Sequence, residues 1–164
     1  MSGSAGSELI DAETWINSVL TNDTFLNTTL GLGGRIYKAL APEDVNFPYV
    51  VFTWSGDSDV YALNTQGTGR MLSEQVFAIK IVSAASNQNN IKPLIDRIDQ
   101  LFTVPTATIT ETLPDGSVWS ITVSSRRDGS VDVPQAHKGF IVYQRGAKYK
   151  ISVQSNQTTP PTGQ

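Results

Sequence analysis

Between residues 73 and 102 the apolar pattern of this chain changes period. In SEQVFAIKIVS, Phe77, Ile79 and Ile81 alternate with Val76, Ala78 and Lys80, so the two sets occupy opposite faces of a strand. In NNIKPLIDRIDQLF, Ile91, Leu94, Ile95, Ile98, Leu101 and Phe102 recur at helical spacing. They form one apolar stripe, with Asp96, Arg97 and Asp99 facing away. A one-faced strand followed by a one-striped helix leaves few packings, and the helix must lie across a sheet. Asn89 or Asn90 caps that helix, and Pro93 falls in its first turn, where a missing N–H does little harm.

The flanking segments extend the pattern. Residues 1–10 read as a flexible start. DAETWINSVL then predicts a helix capped by Asp11, with Trp15, Ile16, Val19 and Leu20 on one face. NDTFLNTTLGLGG restarts at Asn22 or Asp23 as a short second helix and stops at Gly31, with Gly33 and Gly34 suited to positive φ. PYVVFTWSG is strand-like, with Pro48 at its head. Residues 57–70, DSDVYALNTQGTGR, have no clean period and read as a long loop or a floppy hairpin. LPDGS supplies turn chemistry between two alternating runs, a hairpin. RRDGSVDVPQAHK reads as a polar connection, and GFIVYQRGAKYKISV as a final extended segment in which Gly146 marks a hairpin turn or, preferably, a bulge within one long strand. Residues 154–164, polar and proline-containing, read as a disordered tail. The order predicts an α+β domain over residues 11–153: an antiparallel or mixed β-sheet with helices packed on one face.

Composition excludes several kinds of chemistry. A net charge of −3 and a pI near 5.0 argue against a protein whose main task is gripping phosphates. With no cysteine there is no disulfide, thiolate or Cys-based zinc site. No apolar run approaches the roughly 20 residues a membrane helix needs, and the N-terminus lacks a secretory pattern, so a cytoplasmic place of folding is expected. His137 is the sole histidine, and no acid pairs with it at local spacing. Asp57 and Asp59 open like a calcium loop, but no closing glutamate follows. GLGG, residues 31–34, follows no strand and reads as a helix stop rather than a phosphate loop. Arg126 and Arg127 read as a soluble rim, and Trp15, Trp54 and Trp119 as core residues. No catalytic, cofactor or metal residues are assigned, and no enzyme activity is expected.

LNTTLGLGGRIYKALAPEDVNFPYVVF, residues 26–52, resembles the N-terminal signature of the tail-terminator and tail-completion proteins of long-tailed bacteriophages. There a helix ends in a glycine-containing turn, followed by R-I-Y, then A-P, then P-Y opening the first strand. Gly34, Arg35, Ile36 and Tyr37 match the first part, Ala41 and Pro42 the second, and Pro48, Tyr49, Val50 and Val51 the third. The order of the later elements agrees, so the resemblance spans residues 13–153.

The resemblance implies a structural virion protein of the neck without enzymatic activity, assembled in the host cytoplasm. It would form a ring, commonly a hexamer, that caps the head-proximal end of the tail tube and helps join tail to head. Its partners would be copies of itself, the tail-tube protein and head-completion or connector proteins, with DNA passing through the lumen without specific binding. Asp57, Asp59, Tyr61 and Arg70 are then candidate contacts to a neighbouring subunit or the tube. Arg35 is expected to bond a carbonyl within the subunit or a neighbour's carboxylate, and Tyr37 and Tyr49 to pack locally. Two other readings stay open: a head-side connector or adaptor, and a small ligand-binding module using the tyrosines and the 57–70 segment.

Overall fold

The computed structural model describes residues 5–61, 70–84, 88–137 and 139–160. Helix α1 (Ala5–Asn22) and a single π-helical turn (Phe25–Thr29) precede the short strand β1 (Ile36–Lys38). Strands β2 (Tyr49–Tyr61) and β3 (Arg70–Ala84) follow, then helix α2 (Gln88–Phe102) and strands β4 (Val104–Thr112), β5 (Val118–His137) and β6 (Phe140–Thr159). The strands form one sheet in the order β1-β2-β3-β6-β5-β4. β1 runs parallel to β2 and every other pair is antiparallel, so the sheet is mixed.

Both helices cover one face, which we call the inner face. Ala12, Trp15, Ile16 and Leu20 of α1 and Ile91, Leu94, Ile98 and Phe102 of α2 are buried with Val50, Phe52, Phe77, Ile79, Ile81, Ile121, Val123, Tyr149, Ile151 and Val153 of the sheet. Every one of those sheet residues sits at alternate positions of its strand, as the pleat requires. Ile95 and Leu101 are partly buried against the same core. Trp15 meets Phe102 edge-to-face at 5.5 Å, and Phe102 in turn touches Tyr149. On the outer face a smaller cluster joins Val51, Val82 and Val142 to Tyr37, Ala41, Phe47 and Tyr49. Among the described residues no helix is long and apolar enough to cross a membrane, which says nothing of a β-barrel.

Several boundaries differ from the sequence expectations. α1 begins at Ala5, so Asp11 lies inside the helix rather than at its cap, and residues 5–10 are helical. The poor helix formers Ser7 and Gly6 conceal that extension. α2 begins at Gln88, which places Pro93 beyond the first turn and Asn89 and Asn90 within the helix. Arg97 and Asp99 bond to other elements instead of facing solvent. Trp54 is 45% exposed and so is not a core residue.

Two segments expected to be irregular are paired strand, and the 57–70 segment, read as a long loop or a floppy hairpin, is a hairpin where it is described. Residues 57–61 continue β2 and pair with β3 as far as Tyr61↔Arg70; residues 62–69 lie outside the described residues. The supposed polar connection after Arg126 is the second half of β5, paired with β6 from Arg126↔Lys150 to His137↔Phe140. It lacks clear alternation because neither of its faces is buried in a core, residues 126–136 being exposed apart from a half-buried Val131, so little selects apolar side chains there. The supposed disordered tail continues β6 to Thr159, opposite Val118–Thr122. Backbone pairing supplies its order without apolar side chains, which is why composition misleads. Residues 161–164 lie outside the described residues.

Candidate functional site

The quoted glycine–proline stretch folds into a tight junction between helix and sheet. Asp23 accepts the Leu26 N–H at 2.8 Å and starts the π-helical turn. Asn27 then holds the exit: its Nδ2 donates to the carbonyls of Leu20, Thr21 and Asp23, and its Oδ1 accepts from Gly34 N at 2.9 Å. Gly33 and Gly34 adopt φ of 63° and 73°, a left-handed turn that a side chain would strain. Asn27 carries no sequence signal beyond its type, since its partners lie at several separations along the chain.

Arg35 follows. Its Nε donates to Pro48 O at 2.9 Å and its Nη2 to Gly31 O at 3.0 Å. The guanidinium thus bonds carbonyls of its own subunit, one of the two roles expected for it. Ile36 pairs with Val50 and Tyr37 with Val51, while the Tyr37 and Tyr49 rings meet edge-to-face at 5.9 Å. Burial, then the neighbouring Tyr37, raises the pKa of Tyr49. Pro48 follows a cis peptide bond, and Pro42 and Tyr49 line a common groove. Gly34, Arg35, Ile36, Tyr37, Pro48 and Tyr49 are therefore brought together as architecture.

That groove lies on the outer face. The loop after β1 folds over Val82 and Val142 and leaves a cavity of about 290 Å³ among Ala41, Val45, Phe47, Tyr49, Gln135 and Gln144. At the start of the loop, Ala39 has φ of 63°, a conformation that a non-glycine residue keeps only when its surroundings enforce it. Ala39 N donates to Phe52 O and Leu40 N to Lys38 O. The result is a fixed loop that holds Leu40 85% exposed. Glu43 and Asp44 are also exposed there, with no ion-pair partner among the described residues.

A second groove opens on the outer face at the far side of the sheet. Glu74, Ser124, Arg126, Lys150 and Ser152, with Val104 and Pro105 at the start of β4, enclose about 360 Å³. Arg126 is 3.5 Å from Glu74, and Lys150 is 3.7 Å from Asp128. Both contacts are longer than a good charge-assisted hydrogen bond, so the geometry of each is loose. Lys80 and Lys148 share this face, being set at alternate positions with Val82 and Lys150.

The sheet also leaves strand edges open. Among the described residues, β4 pairs with β5 only as far as Val104↔Ser125, so the half of β5 beyond Arg126 pairs with β6 alone. β1 covers β2 only from Val50 to Phe52. Asp57, Asp59 and Tyr61 extend β2 past that cover, and Arg70 opens β3 opposite Tyr61. These four residues share one hairpin arm, well away from the glycine–proline junction. Val133 and Ile141 are exposed on the other arm, at 47% and 50%.

Charged pairs on the inner side fix the helices. Arg97 of α2 donates to both oxygens of Asp23, at 3.0 and 2.5 Å, and its guanidinium lies over the Phe25 ring. The Arg97 hydrogen bond holds the Asp23 carboxyl below its usual pKa against the opposing effect of burial, with the Leu26 N–H adding to the lowering. Tyr149 donates its hydroxyl to Asp99 at 3.0 Å, and burial followed by that carboxylate pushes the phenol well above its usual value. Arg127 reaches the same Asp99 at 3.4 Å, so it braces α2 while Arg126 points to the outer groove. His137 ends β5 opposite Phe140. Among the described residues no three His, Cys, Asp or Glu side chains are grouped to hold a metal.

No protein-family model matches the chain, and no curated protein matches it.

Proposed function

We propose that this chain is a ring-forming structural subunit of a phage neck, which caps the head-proximal end of the tail tube and helps join tail to head. The observation that carries the reading is the pair of strand edges left open among the described residues, on β2 beyond Phe52 and on β5 beyond Arg126. Exposed edges are templates for pairing with another chain. Two different edges on one subunit favour head-to-tail contacts, which close into a ring when the rotation between neighbours divides the circle. The glycine–proline junction supports the reading by resemblance, because among its matched residues Arg35, Ile36, Tyr37, Pro48, Val50 and Val51 set β1 against β2.

A net charge of −3 suits a conduit for DNA, since weak phosphate contacts let the genome pass. The partners are then copies of the chain, the tail-tube protein and a head-completion or connector protein. The test is the mass of the purified chain by light scattering, alone and with tail tubes that lack their end cap. A chain of 17.8 kDa gives about 107 kDa as a ring of roughly six, and the expected result is that mass in solution or at tube ends. A monomer that ignores tubes overturns the reading. A ring that ignores tubes but binds filled heads favours the head-side connector instead.

A further inference from the structure

The ring reading leaves open which surfaces neighbouring subunits use, and the outer face carries two that match. The first is the fixed loop after β1, where Leu40 stands 85% exposed beside the exposed acids Glu43 and Asp44. The second is the groove at the β5 side of the sheet, with Arg126 and Lys150 along it and Val104 and Pro105 at its wall. One presents an apolar knob with two carboxylates that have no ion-pair partner among the described residues. The other is a mostly polar groove with Val104 and Pro105 at one wall and two cations in long ion pairs.

We propose that the 40–44 loop of one copy docks in the Arg126–Lys150 groove of the next, with Glu43 and Asp44 facing the two cations and Leu40 against Val104 and Pro105. The inference rests on the ring reading and gives it a specific contact. A chain cannot make this contact with itself. Val82, beneath the loop, and Glu74, in the groove, lie roughly 25 Å apart along β3 at about 3.3 Å per residue. The mixed character of both surfaces favours protein over nucleic acid: exposed acids beside the knob repel phosphate, and Leu40 gains from apolar burial that a DNA backbone does not offer. Charge complementarity of this kind sets partner choice and register.

The test uses two charge-reversed forms of the full chain, E43K/D44K and R126E/K150E, with all four positions at exposed or half-exposed sites so that folding is retained and checked by thermal melting. Sedimentation is measured over a concentration series for the wild type, each variant and their equimolar mixture. The expected result is association weakened about tenfold or more in each variant alone, and restored in the mixture, where every interface regains opposite charges. Variants that assemble like the wild type overturn the contact while leaving the ring reading intact. Loss without restoration in the mixture overturns it too. A loss confined to R126E/K150E overturns the pairing and leaves the groove to a different acidic partner. Restoration to a dimer supports the contact but counts against the ring, because it means the two docking events are reciprocal. A wild type that stays monomeric at every concentration and on tube ends removes both proposals together.

Discussion

Gly146 of β6 pairs with Lys80 of β3. A Cβ built there would lie 2.0 Å from the Ile79 carbonyl oxygen and 3.0 Å from the Lys80 Cα, and both are backbone atoms that cannot swing aside. Gly146→Ala is therefore expected to destabilise the subunit by at least about 1–3 kcal/mol, measured by urea unfolding; an unchanged midpoint would mean the strands can separate without loss. In the sequence this glycine reads as a bulge within a long strand; the long strand is there, but Gly146 pairs with Lys80 and Val131 in unbroken register. The reason for it is invisible there, because the clashing atoms belong to a strand far away in the chain. Asp23 yields a second test. Its carboxyl titrates lower in the folded chain than the usual 3.8, chiefly through the Arg97 hydrogen bond. The ionised form thus adds stability above about pH 4, and that gain disappears as pH falls through the folded value. Asp23→Asn should lower the Tm at pH 7 and lower it much less at pH 3; an equal loss at both would remove the charge from the account. Arg35 shows the limit from the other side: residue type demanded a partner, and only the folded chain selects the carbonyls of Gly31 and Pro48.

At the scale of elements, α2 was the most legible. Its apolar stripe lands on the inner face as periodicity requires, with Ile98 buried and Ile95 at the margin of the core. Ile98→Ala should cost about 2–5 kcal/mol, and Ile95→Ala measurably less, in the same unfolding assay. Equal losses would show that the helix is rotated from this orientation. The strand end at residues 154–159 was illegible for the opposite reason. Its Ser, Asn, Gln and Thr carry no alternation, and order comes from pairing with β5. Deleting residues 155–164 should therefore lower the Tm by several degrees, at about 2–4 °C per kcal/mol for a domain of this size. A Tm unchanged by the deletion would return that segment to the role of a dispensable tail. The second half of β5 escaped sequence reading in the same way, since a hydrophobic pattern reports only faces that something covers.

For the molecule as a whole, sequence order and apolar periods sufficed for the α+β class, for helices on a single face and for a sheet that is antiparallel or mixed. The candidate contact surfaces were less accessible. Asp57, Asp59, Tyr61 and Arg70 were singled out as one segment and do share one hairpin arm, whereas the Arg126–Lys150 groove joins residues of β3, β4, β5 and β6 and has no local signature. Bulk charge makes its own prediction: with a pI near 5.0, light scattering by the protein should rise on acidification to about pH 5, where repulsion between copies vanishes. A scattering minimum there would mean that local patches outweigh net charge.

The strand order has a kinetic consequence. β1, β2 and β3 are neighbours both in the chain and in the sheet, and so are β4, β5 and β6. Only the β3–β6 pairing joins residues between about 58 and 80 positions apart. Each half can form from local hairpins, while the seam must wait for a large loop to close. Mutations within either hairpin should thus slow folding, and mutations along the seam, Gly146→Ala among them, should chiefly speed unfolding. The chain is, in folding terms, two small sheets that become one late.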